Sequence, residues 1–233
     1  MRHAPGADEA PKALIAPHAG YTYSGPIAGT AYAQLASAAD CVRRVVLLGP
    51  AHRVPVRGMA VPSVDAFQTP LGPVPIDIEA VAALGELPFV EMSDAAHQEE
   101  HSIEVQLPFL QVLLSDFTIV PIVVGAAGPE EVAAVLERVW DGDETRIVIS
   151  SDLSHYHDYA TAKILDAETT EAIEALAPER FHQDAACGRF ALAGLLKVAK
   201  RRGMRVRTLD MRNSGDTTGR RDRVVGYGAY ALA

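Results

Sequence analysis

Five residues in four short stretches have the chemistry of a metal pocket. His18 lies in Pro17-His18-Ala19-Gly20-Tyr21, at the end of the apolar run 13–17. His52 ends Gly49-Pro50-Ala51-His52, after the run 45–49. Asp152 and His155 lie in Ser150-Ser151-Asp152-Leu153-Ser154-His155, after the run 147–150. Cys187, in Cys187-Gly188, opens a long helical pattern. Imidazole, thiolate and carboxylate together suit a transition metal better than calcium or magnesium. A cysteine at a helix N-terminus is expected to have a lowered pKa, which favours the thiolate, the form that binds metals and attacks electrophiles. Each residue also has an ordinary alternative. A lone histidine after a strand can cap a loop, a lone cysteine can be a small buried hydrophobe, and Asp152 can cap the next segment.

To make one site, these residues need neighbouring strands that run the same way. The runs 13–17, 45–49, 117–125 and 147–150 are short and rich in Val, Ile and Leu, as buried strands are. Two later runs, 205–211 and 224–232, also read as strands. Helical patterns occupy 26–37, with Pro26 at its first position, and 77–84, 102–114, 129–139, 160–176 and 187–202. Pro108 predicts a kink or a later start in the third of these. Strands alternating with helices predict an α/β fold: a central mixed, largely parallel sheet flanked by helices. Sites in such sheets form outside the carboxyl ends of strands, where His18, His52 and Asp152 fall.

Other residues carry weaker signals. His101 and Glu104 share a helical spacing; Glu99 and Glu100 precede them, and a short acidic stretch of this kind suits solvated surface or a supporting or pocket-wall position rather than direct metal ligation. Tyr21 and Tyr23 flank His18 as pocket lining, and His157 and Asp158 lie close to His155. The segment 213–219 reads as a plain loop; its turn chemistry suits an anion, but it is no P-loop.

The chain has 233 residues, 48% of them hydrophobic, with a net charge of −9. That supports one domain over 13–233 after a flexible tail, 1–12, that contains His3. The acidic balance excludes a broad basic footprint for nucleic acid or anionic membrane. The cluster Lys197, Lys200, Arg201 and Arg202 instead suits a helix C-terminus. Two cysteines give no disulfide framework, no apolar run is long enough for a membrane helix, and the polar start has no secretory stretch. Cytoplasm is the expected compartment.

Seven short motifs in order resemble the Memo-like family, also known in prokaryotes as AmmeMemoRadiSam system protein B. They are Pro17-His18-Ala19-Gly20-Tyr21, Leu48-Gly49-Pro50-Ala51-His52, Glu100-His101-Ser102-Ile103-Glu104, Ser151-Asp152-Leu153-Ser154-His155-Tyr156, Cys187-Gly188, Asn213-Ser214-Gly215-Asp216 and Val225-Gly226-Tyr227. The resemblance implies a fold like that of class III extradiol dioxygenases, which use non-haem iron. It implies His18, His52 and Cys187 as metal ligands, with His155 and Asp152 as catalytic candidates beside them. It also implies iron first, with copper or zinc as alternatives, and AMMECR-type and radical SAM proteins as partners. Family members usually start with a further segment bearing a Gly-x-Phe-Tyr-Pro-like motif. This chain lacks that motif, so one pocket wall is expected to be built differently. A cysteine ligand also departs from the two-histidine, one-carboxylate set of working oxygenases and favours copper(I) or zinc. Three functions follow: a dioxygenase-like redox metalloenzyme in which His155 moves protons, a metal-holding binding or scaffold protein, or a Cys–His hydrolase with Cys187 as nucleophile.

Overall fold

The structure is a computed structural model that describes residues 10–233. The tail with His3 lies outside the described residues as far as position 9. Lys12, also assigned to the tail, is anchored: its Nζ donates to the carbonyls of Asp141, Gly142 and Thr145 at 2.6–2.8 Å.

The strands are β1 (Ala13–Ala16), β2 (Arg44–Pro50), β3 (Met59–Val61), β4 (Ala66–Thr69), β5 (Gly72–Pro75), β6 (Val90–Met92), β7 (Thr118–Val124), β8 (Thr145–Ser150), β9 (His155–His157), β10 (Val206–Asn213) and β11 (Val224–Leu232). The main sheet has the order β10-β11-β1-β8-β2-β7-β3-β6, with β9 beside β11; β4 and β5 form a separate hairpin. β8 lies between β1 and β2, and all three are parallel; β7 continues the parallel set beyond β2. β10, β11 and β9 extend one side antiparallel, and β3 pairs antiparallel with β7. The parallel strands are buried almost throughout. That is why their sequences are continuous apolar runs rather than alternating patterns.

The helices are α1 (Tyr21–Tyr32), α2 (Ile78–Gly85), α3 (Asp94–Gln98), α4 (His101–Glu104), α5 (Leu107–Leu113), α6 (Pro129–Arg138), α7 (Tyr159–Glu174), α8 (Arg189–Arg202) and α9 (Ser214–Thr217). α3 is not expected from the sequence, and three further regions differ from the expectation. α1 begins at Tyr21, with Gly20 as N-cap and Pro26 inside. The first-turn amides of Tyr23 and Ser24 find the Gly20 carbonyl, so the helix starts directly behind the His18 turn. The expected helix 102–114 is two pieces, and Pro108 falls in the first turn of α5, where no amide hydrogen is needed. The expected loop 213–219 starts as one helical turn: Asn213 accepts from Gly215 N, and Asp216 accepts from Asn213 N.

α6 and α8 pack against each other, and α8 also lies on β2 and β8. Lys197 and Arg201 of α8 pair with Glu130 at 2.6 and 2.5 Å, and Arg201 with Glu137 at 2.9 Å. Two of the four basic residues therefore meet carboxylates of this chain. Among the described residues no helix is long and apolar enough to cross a membrane.

One buried charge carries a stability prediction. Asp166 on α7 is 2% exposed. It accepts from Ser154 N at 3.0 Å, and the chain passes so close at Gly226 that a Cβ there would fall 2.1 Å from its Oδ2. Burial pushes its carboxyl up to about 6, against the lowering effect of the Ser154 hydrogen bonds and nearby His157. Its proton affinity is thus higher folded than unfolded, so stability falls as pH rises from about 4 to about 6. Above that window the ionised form costs about 3 kcal/mol. Asp166→Asn keeps an acceptor for Ser154 N and removes the charge. It is expected to melt higher than the parent at alkaline pH and to match it near the acid end of the window. A difference independent of pH in thermal unfolding would refute this account.

Candidate metal centre

His18 is the second residue after β1 and only 2% exposed. Its backbone N–H donates to Asp152 Oδ1 at 2.8 Å, and that of Ala19 does so at 3.3 Å. Its ring Nδ1 lies 2.8 Å from Ser150 Oγ, at the end of β8. His52, just beyond β2, is held twice by Glu100. Its backbone N–H reaches Oε2 at 2.6 Å, and its ring Nδ1 lies 2.9 Å from Oε1. The same Oε1 accepts from Ser102 N at 2.9 Å, so Glu100 also caps α4.

Cys187 lies one residue before Gly188, the N-cap of α8. Its Sγ accepts from Asp152 N at 3.2 Å, and its own N–H donates to Asp152 O at 3.3 Å. Gly188 N donates to Ser151 Oγ at 2.9 Å. A Cβ on Gly188 would come within 2.7 Å of the Ser151 side chain, so only glycine lets the cysteine turn close onto the end of β8. The result is a Cys187 Sγ 3.4 Å from His18 Nε2. Ligand atoms of His18, His52 and Cys187 all lie within 4.8 Å of one another. These three residues come from far-apart stretches of sequence and meet because β1, β8 and β2 end side by side.

A third imidazole adjoins them. His101 stacks on His52 with ring centroids 4.8 Å apart and meets His18 edge-on at 5.5 Å. His52, Glu100 and His101 form a second group able to hold a metal. His155 is half-buried in β9 opposite Val225, outside both groups, but close enough for its charge to act on His18 and Asp152. The Asp152 carboxylate faces the His18 turn, so its observed role is to hold that turn.

Burial sets the electrostatics. His18 is held well below the usual imidazole range by desolvation, then by His52 and His101. Burial pushes the Cys187 thiol up to about 12, and the Asp152 carboxylate adds to this. The sequence expectation of a lowered thiol pKa is therefore corrected for the metal-free protein. The helix begins at Arg189, two residues on, and loss of water outweighs the hydrogen bonds that Asp152 N, Ser151 and Gly188 offer the sulfur. Burial also disfavours the Glu100 carboxylate, but hydrogen bonds from His52 and Ser102 outweigh it and hold its pKa at about 2.

Glu100 takes the supporting position expected of the acidic stretch rather than a place on the solvated surface: it is 5% exposed and holds His52. Its position directly before a helix start and next to a histidine was the available signal. Ser150 and Gln106, also buried behind the pocket, gave none.

A family profile described as Memo-like protein matches residues 1–231. A MEMO1 family protein of Archaeoglobus fulgidus is 35% identical over 96% of this chain and 87% of its own length. One of Aeropyrum pernix is 39% identical over 97% of this chain and 85% of its own, and one of Aquifex aeolicus 37% over 93% and 84%.

Proposed function

From its membership of the Memo-like family, we propose that this chain is a metal-binding protein with a dioxygenase-like pocket, in which His18, His52 and Cys187 hold a redox-active iron or copper ion. The observation that carries this reading is the convergence of two imidazoles and a thiol within 4.8 Å at the ends of adjacent parallel strands. The donor set fits a transition metal, since two neutral nitrogens and one sulfur are soft for calcium or magnesium. When bound, such an ion supplies a Lewis acid and a one-electron redox partner.

The chain's own residues have separate tasks in this reading. Asp152 fixes the backbone of the His18 turn. Glu100 fixes His52. His155, beside Asp152 but outside the ligand group, holds or releases a proton for a bound small molecule. His101 forms the wall against which both ligand rings pack. AMMECR-type and radical SAM proteins are proposed partners on family grounds, and co-purification from a native host tests them.

The cysteine in the donor set favours a second reading, a protein that keeps its metal for binding or assembly without turnover. Anaerobic reconstitution with iron(II), copper(I) or zinc, followed by metal analysis, tests the shared claim: one equivalent per chain is expected, and none would overturn it. Oxygen uptake by the metal-loaded protein with catechols separates the two readings, since turnover removes the second. The hydrolase reading fares worse. The 3.4 Å contact of Cys187 with His18 has the reach of a nucleophile–base pair. However, burial pushes the thiol up and the imidazole down, which keeps the proton on sulfur.

A further inference from the structure

The hydrogen bonds behind the pocket define where the ring protons sit. Ser150 Oγ has one hydrogen to give and two lone pairs to offer. Its hydrogen goes to Ser102 O at 2.5 Å, because a carbonyl can only accept. One lone pair is taken by Gln106 Nε2 at 2.9 Å. The Gln106 amide cannot be turned the other way, since the same nitrogen lies 2.9 Å from Pro17 O, a second carbonyl, while its Oε1 accepts from Tyr32 OH at 2.9 Å. The remaining lone pair of Ser150 faces His18 Nδ1 at 2.8 Å. Only a protonated Nδ1 satisfies it. His52 Nδ1 likewise meets Glu100 Oε1, an acceptor already taking Ser102 N, at 2.9 Å. In both rings the hydrogen is thereby placed on Nδ1 and the lone pair on Nε2, which in His18 meets the Cys187 thiol at 3.4 Å.

We propose that Glu100 and the buried chain Tyr32–Gln106–Ser150 are positioning residues that lock His52 and His18 as Nδ1–H tautomers, so that both Nε2 lone pairs are presented to a metal before it arrives. The functional meaning of this lock rests on the metal-binding reading above; the tautomers themselves do not. The two locks are independent. One is charged and reaches the His52 loop from α4. The other is neutral and runs from α1 through α5 to the end of β8. Each fixes one ring, and each removes the entropy of ring flipping and tautomer exchange that an unassisted histidine pair would lose on binding.

The test reads the protons directly. Nitrogen-15 NMR of the histidine side chains in the metal-free protein, at a pH where the rings are neutral, is expected to show His18 and His52 with protonated Nδ1 and bare Nε2. Ser150→Ala is expected to release His18 alone, and Glu100→Ala to release His52 alone, because each removes the acceptor that faces that ring's Nδ1. Each variant is expected to lose about 10–100-fold in metal affinity, the usual cost of an outer partner. A parent spectrum with Nε2–H on either ring overturns the proposal and needs no variant to fold. Unchanged tautomers in both folded variants overturn it as well. A parent with the expected tautomers and no affinity for iron(II), copper(I) or zinc leaves the lock standing and removes the metal-binding reading instead.

Discussion

His18→Ala and His52→Ala are each expected to lower metal affinity by well over about 100-fold, because loss of a ligand costs more than the 10–100-fold seen for an outer partner. The two should behave alike despite different exposure, since each supplies one Nε2 to the same ion. His155→Ala and His101→Ala should keep affinity within about tenfold of the parent, as neither belongs to the group formed by His18, His52 and Cys187. Anaerobic competition against a chromophoric chelator measures all four. Parent-like affinity in both ligand variants would end the functional reading. A collapse only in His101→Ala would move the ion to the alternative group of His52, Glu100 and His101. The Asp152 contact to the His18 turn is made by backbone amides, so His18→Ala retains it and leaves the fold able to form.

Cys187 in the metal-free protein is expected to react with iodoacetamide about a thousandfold more slowly at neutral pH than an ordinary thiol. The thiolate is the reacting species, and burial, aided by Asp152, raises the thiol from its usual 9 to about 12, which shrinks the thiolate fraction by that factor. Exposed Cys41 is the internal reference. Mass spectrometry of the labelled peptides over time gives both rates from one sample. Rapid labelling of Cys187 would show a thiol activated without metal and would revive the nucleophile reading. Slow labelling that persists as pH is raised moderately is the signature of a sulfur that becomes a thiolate only when a cation replaces its proton.

The α/β architecture and the candidate residues were legible in the chain before folding. Continuous Val, Ile and Leu runs read as strands covered on both faces, and three of the four led into a residue able to bind metal, His18, His52 or Asp152. Local signals also placed most helices, though Pro26 misled. Proline is favoured at a first helical position, yet the amides of Tyr23 and Ser24 already donate to the Gly20 carbonyl and start the helix there.

Which candidates meet, and how they are charged, depends on the packed chain. The order β1-β8-β2 is a pairing between distant segments that brings His18 and His52 together, and the turn before α8 docks Cys187 onto the end of β8 beside them. Burial, a property of the whole packed chain, reversed the sign expected for Cys187, and the fold decided that the ring Glu100 supports is that of His52. A residue's type and neighbours in sequence set what it can do chemically. Its distance from water and from the opposite strand, which no local pattern encodes, sets what it does.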